Sequence, residues 1–259
     1  MAEKKTGKPG THQQEGITRR TFIKNTGLIT GGLVSGGLLG GLLGNQLGTG
    51  TDTETSTEEH GHGATHRYEE ARMFFKRQGD FRVLEMVTET IFPEDGNGPG
   101  AIALGVPYFI DRQLAGNWGS NTRDYMQGPF EEGTDTQGYQ SSLTRGEIFL
   151  QGIRLINQIS TSDYDEAFVD LEEQDRVAIL TEFSEGNAEM RGVSSSRFFS
   201  LLRQAVLEGA YCDPLYGGNR EMAGWRMKGH PGSVMSYLDV IQEEDFVEMD
   251  PVALKDHNH

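Results

Sequence analysis

Thr144-Arg145-Gly146-Glu147-Ile148-Phe149-Leu150-Gln151-Gly152-Ile153-Arg154-Leu155-Ile156-Asn157-Gln158-Ile159 is the stretch on which the fold turns. It opens as Thr-x-x-Glu, a capping box in which hydroxyl and carboxylate satisfy backbone N–H groups that the first helical turn leaves unpaired. Behind the box, Ile148, Gly152, Leu155, Ile156 and Ile159 recur at helical spacing and mark one face. On the N-terminal side, Phe81, Leu84, Val87 and Ile91 repeat the same period until Pro93 ends it. On the C-terminal side, Leu171, Val177, Ile179, Leu180 and Phe183 predict a third helix. A fourth begins at Ser196, carries Phe198, Phe199, Leu201, Leu202, Ala205 and Val206, and stops at Gly209 in the manner of a C′ glycine. Few alternating runs bounded by turn signals occur, so the expectation is an all-α single domain over residues 67–245, with 246–259 as a flexible tail.

Two segments interrupt the helical pattern with glycine, proline and aromatic residues. The first is Ile91-Phe92-Pro93-Glu94-Asp95-Gly96-Asn97-Gly98-Pro99-Gly100-Ala101, leading into Val106-Pro107-Tyr108-Phe109-Ile110-Asp111. The second runs Tyr211-Cys212-Asp213-Pro214-Leu215-Tyr216-Gly217-Gly218-Asn219, then Gly224-Trp225 and Gly229-His230-Pro231-Gly232. Both are too short of apolar bulk to form core and too specific in composition to be spacers.

The chain carries a formal charge of −16, unevenly spread. Up to Lys24, six basic residues face two acidic ones, a net +4 that leaves −20 for everything after it. So acidic a body repels nucleic acid and anionic headgroups, and nucleic acid is excluded as a partner. Cys212 is the only cysteine, which excludes an intrachain disulfide, a cysteine-ligated iron–sulfur cluster, a cysteine-rich zinc site and a C-x-x-C-H haem attachment.

Thr18-Arg19-Arg20-Thr21-Phe22-Ile23-Lys24 resembles a twin-arginine export signal, with Arg19, Arg20, Phe22 and Lys24 as its defining residues. Leu28 to Leu43 follows as a glycine-diluted apolar run of h-region length, short for a membrane span. No A-x-A site follows, so residues 1–48 are expected to act as the export signal, and if uncleaved as a weak N-terminal anchor. Export by the twin-arginine translocase would leave the body on the extracytoplasmic face. Residues 49–66 lack any apolar period and read as a disordered tether. Its His60, His62 and His66 could grip a metal ion, but as solvated linker residues without a rigid shell they are assigned no metal.

The pairing of I-F-P-E-D-x-x-G-P-G-A with V-P-Y-F-I-D, and of D-P-x-Y-G-G-N-R-x-M-x-G-W with a following P-G, resembles the gluconate 2-dehydrogenase subunit 3 family over about Arg72 to Gly232. The resemblance implies a small accessory subunit without cofactor or catalytic residues of its own. Its partner would be a large FAD-dependent oxidoreductase subunit of the glucose–methanol–choline type, in some complexes joined by a multihaem cytochrome c. The small subunit would support export and assembly of that flavoprotein.

The residues themselves agree with a chain that carries no redox site. Gly98-Pro99-Gly100-Ala101-Ile102-Ala103 fits G-x-G-x-x-A on paper, yet it follows a helix ended by Pro93 and reads as a turn. His230, the one histidine within the body, lacks a G-x-S-x-G nucleophile and reads as a turn residue. Asp213 before Pro214 is a turn former, and Asp95 with Asn97 lacks EF-hand spacing. Two alternatives remain. One is a stand-alone exported hydrolase or sugar-binding protein built on Asp95, Asp213 and His230, with Glu94 and Asp111 as further carboxylates. The other is a haem subunit with His230 and Met227 or Met222 as axial ligands.

Partner binding is expected on the two loops, at Pro93, Asp95, Pro99 and Gly100 of the first and Tyr211, Asp213, Pro214, Tyr216, Gly217, Gly218, Asn219 and Trp225 of the second. Trp225 is also assigned to the core. Trp118, Tyr125, Phe130, Tyr211 and Tyr216 either anchor a partner or staple the loops to the helices.

Overall fold

A computed structural model describes residues 70–131, 134 and 140–257. The export-signal residues Arg19, Arg20, Phe22 and Lys24, the apolar run behind them and the tether histidines lie outside the described residues. Among the described residues the chain is all-α, as its periodicity predicts. Helices α1 (Gln78–Ile91), α2 (Val106–Ala115), α3 (Arg145–Asp163), α4 (Glu173–Glu185), α5 (Ser195–Tyr211) and α6 (Ala223–Arg226) follow in order, with 3-10 turns at Pro214–Tyr216, Arg220–Met222 and Leu254–Asp256.

The capping box forms at the start of α3. The Glu147 N–H donates to the Thr144 hydroxyl at 3.3 Å, and the Glu147 carboxylate accepts the Thr144 N–H at 2.8 Å. Gly152, on the apolar face, is where α3 crosses α5: a β-carbon there would stand 2.5 Å from the Phe198 ring. Phe198 meets Phe149 and Phe183 edge to face, each at 5.7 Å, so three helices share one aromatic cluster. Helix α5 packs on α1, α2, α3 and α4, and its Phe198, Phe199, Leu202, Ala205 and Val206 are buried. Each large side chain so buried is worth about 1.5–3 kcal/mol, which makes α5 the spine of the domain.

Three elements depart from the sequence reading. Helix α5 does not stop at Gly209 but runs on to Tyr211, and Cys212 caps it with an N–H to Glu208 O. Gly209 serves close packing instead, since a β-carbon there would lie 2.8 Å from the Phe109 ring of α2. Leu171 precedes α4 rather than belonging to it; it is buried in the turn before Glu173. Val106–Ala115, read as the continuation of a loop, is a helix with Pro107 in its first turn, where a missing N–H costs nothing.

Asp111, fully buried on α2, explains how the entering chain is held. Its carboxylate oxygens accept the N–H groups of Phe74 at 3.1 Å and Phe75 at 2.8 Å, and that of Met73 besides. The C-terminal end is also tied down. Ala253 is fully buried, Gly232 and Val252 form a parallel bridge, and His257 Nε2 lies 2.6 Å from Ser233 O. Residues 252–257, expected within a flexible tail, are therefore docked on the domain. No helix among the described residues is long and apolar enough to cross a membrane.

Candidate functional site

The first loop is a closed turn held by α1. Asp95 and Gly98 exchange backbone hydrogen bonds at 3.2 and 3.0 Å, and the Asp95 carboxylate accepts the Asn97 N–H at 2.9 Å. Glu89, in the last turn of α1, ties the loop's two limbs together: its carboxylate accepts from Glu94 N at 3.1 Å and Ile102 N at 2.8 Å. Gly100 is buried because that carboxylate occupies the space a side chain would need. Glu89 was not singled out from the sequence. The signal was there: a carboxylate in the last turn opposes the helix dipole and calls for another use.

The second loop is organised around Asn219 and Asp213. Asn219 is fully buried with φ 45° and donates its backbone N–H to Gly209 O and its side-chain amide to Cys212 O, at 2.9 and 2.8 Å. Its Oδ1 accepts the Gly224 N–H at 2.7 Å. One residue thus caps the end of α5 and starts α6. The buried Asp213 turns the chain by accepting Leu215 N–H at 2.9 Å, while its other oxygen accepts the Ser233 hydroxyl at 3.1 Å and Leu254 N–H at 2.9 Å. It is therefore the anchor for the returning C-terminal segment. Trp225 is buried, as expected of a core residue, with its indole N–H on Tyr211 O at 2.8 Å.

Gly217 and Gly218 differ in what they require. Gly217 has φ 88°, a left-handed conformation, with the Arg112 guanidinium directly over it. Gly218 needs space rather than an unusual angle: a β-carbon would fall 2.2 Å from Gly209 O.

The fold brings the two loops into one assembly. Phe92 and Tyr211 stack edge to face at 5.9 Å, a β-carbon on Gly98 would strike the Met227 sulfur at 2.6 Å, and Arg220 N donates to Leu104 O at 3.2 Å. The Arg220 guanidinium lies over the Tyr108 ring at 5.4 Å and pairs with Glu70 at 3.3 Å. Lys228 Nζ sits 4.0 Å above the Tyr211 ring.

Of the expected interface residues, Gly100, Asp213, Gly218, Asn219 and Trp225 are buried, and Pro93, Asp95, Pro99, Tyr211, Pro214 and Gly217 are half-buried. Tyr216 alone of that set is exposed, beside exposed Leu215. Among the other aromatics, Trp118 is stapled inside, edge to face with Phe149 at 5.6 Å and under the Arg145 guanidinium, whereas Tyr125 and Phe130 are exposed.

The polar groups of Glu89, Asp213, Asn219 and Trp225 are engaged in hydrogen bonds within the chain. Burial pushes the Cys212 thiol up to about 11, outweighing the stabilising N–H of Gly218, so the sulfur is protonated and poorly nucleophilic at neutral pH. Exposed His230 stacks on the edge of Trp225 at 5.5 Å, and the Asp213 oxygens that a hydrolase would need are committed to Leu215, Ser233 and Leu254. The G-x-G-x-x-A segment follows helix α1, and its Ile102 amide already serves Glu89. Met227, offered as an axial ligand, has its sulfur against Gly98. Among the described residues, no three His, Cys, Asp or Glu side chains are grouped to hold a metal ion.

The assembly lies within a stretch that a family model matches: residues 78–232, from the start of α1 to the glycine of the C-terminal bridge, fit the model of gluconate 2-dehydrogenase subunit 3. No curated protein and no solved structure matches the chain. Because the match takes in more than half of the chain and every residue of both loops, the chain belongs to the gluconate 2-dehydrogenase subunit 3 family.

Proposed function

We propose that the chain is the accessory small subunit of a membrane-associated, FAD-dependent gluconate 2-dehydrogenase-like oxidoreductase, without redox or catalytic groups of its own. It escorts the catalytic flavoprotein through the twin-arginine translocase and stays with it on the extracytoplasmic face, with the uncleaved leader as a weak anchor. The family match carries this reading, since it makes the chain part of a dehydrogenase complex. The internal use of the motif residues supports it: Asn219, Asp213, Glu89 and Trp225 spend their polar groups on the fold, which is the expected pattern for a scaffold rather than a catalyst.

Replacement of Arg19 and Arg20 together by Lys tests the escort role. The variant chain and its flavoprotein partner are expected to accumulate in the cytoplasm, and the chain purified alone is expected to lack flavin and Soret absorbance. Normal export of the partner from cells carrying the double variant would refute the escort role. Stoichiometric flavin or haem in the isolated chain would refute the non-redox assignment.

A further inference from the structure

Residues 233–250 leave the body after Gly232 and rejoin it at Val252, and between those points they bury almost nothing. Phe246 is 89% exposed, Leu238 78%, Ile241 70% and Met235 69%, with Tyr237 and Val247 exposed beside them. Single exposed apolar side chains are ordinary; a run of them in one short segment marks a surface that another molecule covers. Among the described residues, none covers it. An open hollow of about 950 Å³ separates the arm's Tyr237, Phe246 and Asp250 from Arg226, Lys228 and His230 on the turn after α6.

Both ends of the arm are nonetheless fixed. Ser233 N donates to Val252 O at 2.8 Å, Val252 N donates to Pro231 O at 3.2 Å, and Asp213 holds Ser233 and Leu254 together. A loop closed at its base loses less freedom on docking than a free tail. Leu215 and Tyr216, the exposed apolar residues of the second loop, stand on the turn that packs against Leu254–Asp256 and so extend the same face.

Charge identifies the occupant. Asp239, Glu243, Glu244, Asp245, Glu248 and Asp250 give the arm six carboxylates, with no Lys or Arg between Gly232 and Leu254. Copies of the arm repel one another, and anionic lipid is repelled likewise. The complementary surface is a protein groove with an apolar floor and a Lys- and Arg-rich rim.

We propose that the 233–250 arm docks in such a groove on the catalytic partner subunit, with Leu238, Ile241 and Phe246 as anchors and the carboxylates setting orientation. This rests on the reading of the chain as a subunit of a dehydrogenase complex, but on different residues, since the family match ends at Gly232 where the arm begins.

The test uses the tagged full-length chain expressed in its native cells, with the flavoprotein that co-purifies with wild type as the probe. Leu238→Asp, Ile241→Asp and Phe246→Asp together are expected to cut flavoprotein retention by at least about tenfold, with the melting temperature of the isolated chain unchanged. Glu243→Lys, Glu244→Lys and Asp245→Lys together should weaken retention and flatten its dependence on salt up to roughly 0.5 M. As a measurement that needs no destabilising change, Phe246→Cys, made in a Cys212→Ala background so that half-buried Cys212 adds no label, is expected to react rapidly with a maleimide in the free chain and slowly in the complex. Full retention by both triple variants, or equal labelling of Cys at 246 in free chain and complex, would overturn the arm while leaving the subunit reading intact. Dissociation of a homodimer by the Asp variants would overturn it in favour of self-association. Absence of any flavoprotein on wild-type chain would overturn both.

Discussion

The segments Tyr211–Gly232 and Ser233–Asp250 adjoin in the chain, and both combine aromatic residues with loop-forming ones, yet the molecule uses them in opposite ways. In the first, Asn219 and Asp213 draw backbone N–H and C=O groups into a closed set of hydrogen bonds, and Trp225 is buried over them. In the second, Phe246, Leu238 and Ile241 face outward with carboxylates interspersed. The contrast separates two meanings of a loop rich in specific residues. Where polar groups find partners within the chain, the residues build a frame; where large apolar groups find none among the described residues, the surface is open to another molecule.

The sharpest way to break the comparison is to remove Trp225. If the second loop is frame, Trp225→Ala should cost about 3–5 kcal/mol, read as a large fall in the denaturant midpoint of the isolated chain. A loop that existed only for a partner would lose far less. Asn219→Ala comes next. It leaves Cys212 O and Gly224 N–H without their partner and puts alanine at φ 45°, so a loss of about 2–4 kcal/mol is expected.

A smaller effect follows from Cys212. Its thiol titrates near 9.0 in the unfolded chain and about 11 in the folded one, so the folded state holds the proton longer. The contribution is complete below pH 9 and is lost as pH rises through 11. Stability measured over that window should fall more steeply in wild type than in Cys212→Ala, and identical slopes would remove the thiol from the account. The smallest change is expected at Tyr216, which is 52% exposed. Tyr216→Ala should shift the isolated chain's stability by no more than about 0.5 kcal/mol; a loss several times larger would make it an internal staple.

The helices that carry the core were legible because their signals are local. The capping box at Thr144 and the stripe behind it need only the chain's own periodicity, and α3 forms where they point. Helix α2 is hidden in the sequence because Pro107 and the neighbouring glycines read as loop, although Val106, Phe109, Ile110 and Leu114 keep a helical step. Gly209 carried two possible meanings, cap or close contact, and only the arrival of Phe109 from a distant helix decides between them. The residues of the candidate interface show the same dependence on distant partners. Asp213, Gly218 and Asn219 look functional in sequence, but whether an amide or carboxylate is satisfied at home depends on Leu254, Ser233 and Gly209 reaching it in three dimensions. The arm is not legible in the sequence, because its apolar residues have no period and resemble the last part of a domain.

Amide hydrogen exchange on the isolated full-length chain tests the division into frame and arm most directly. The amides of Asn219 and Gly224, hydrogen-bonded to Gly209 O and Asn219 Oδ1, are expected to exchange among the slowest in the chain, near the limit set by global unfolding. Amides between Val234 and Asp250 should exchange orders of magnitude faster, at rates approaching those of unstructured peptide. Fast exchange throughout Tyr211–Gly232, or protection of the arm in the isolated chain equal to that of Asn219 and Gly224, would contradict that division.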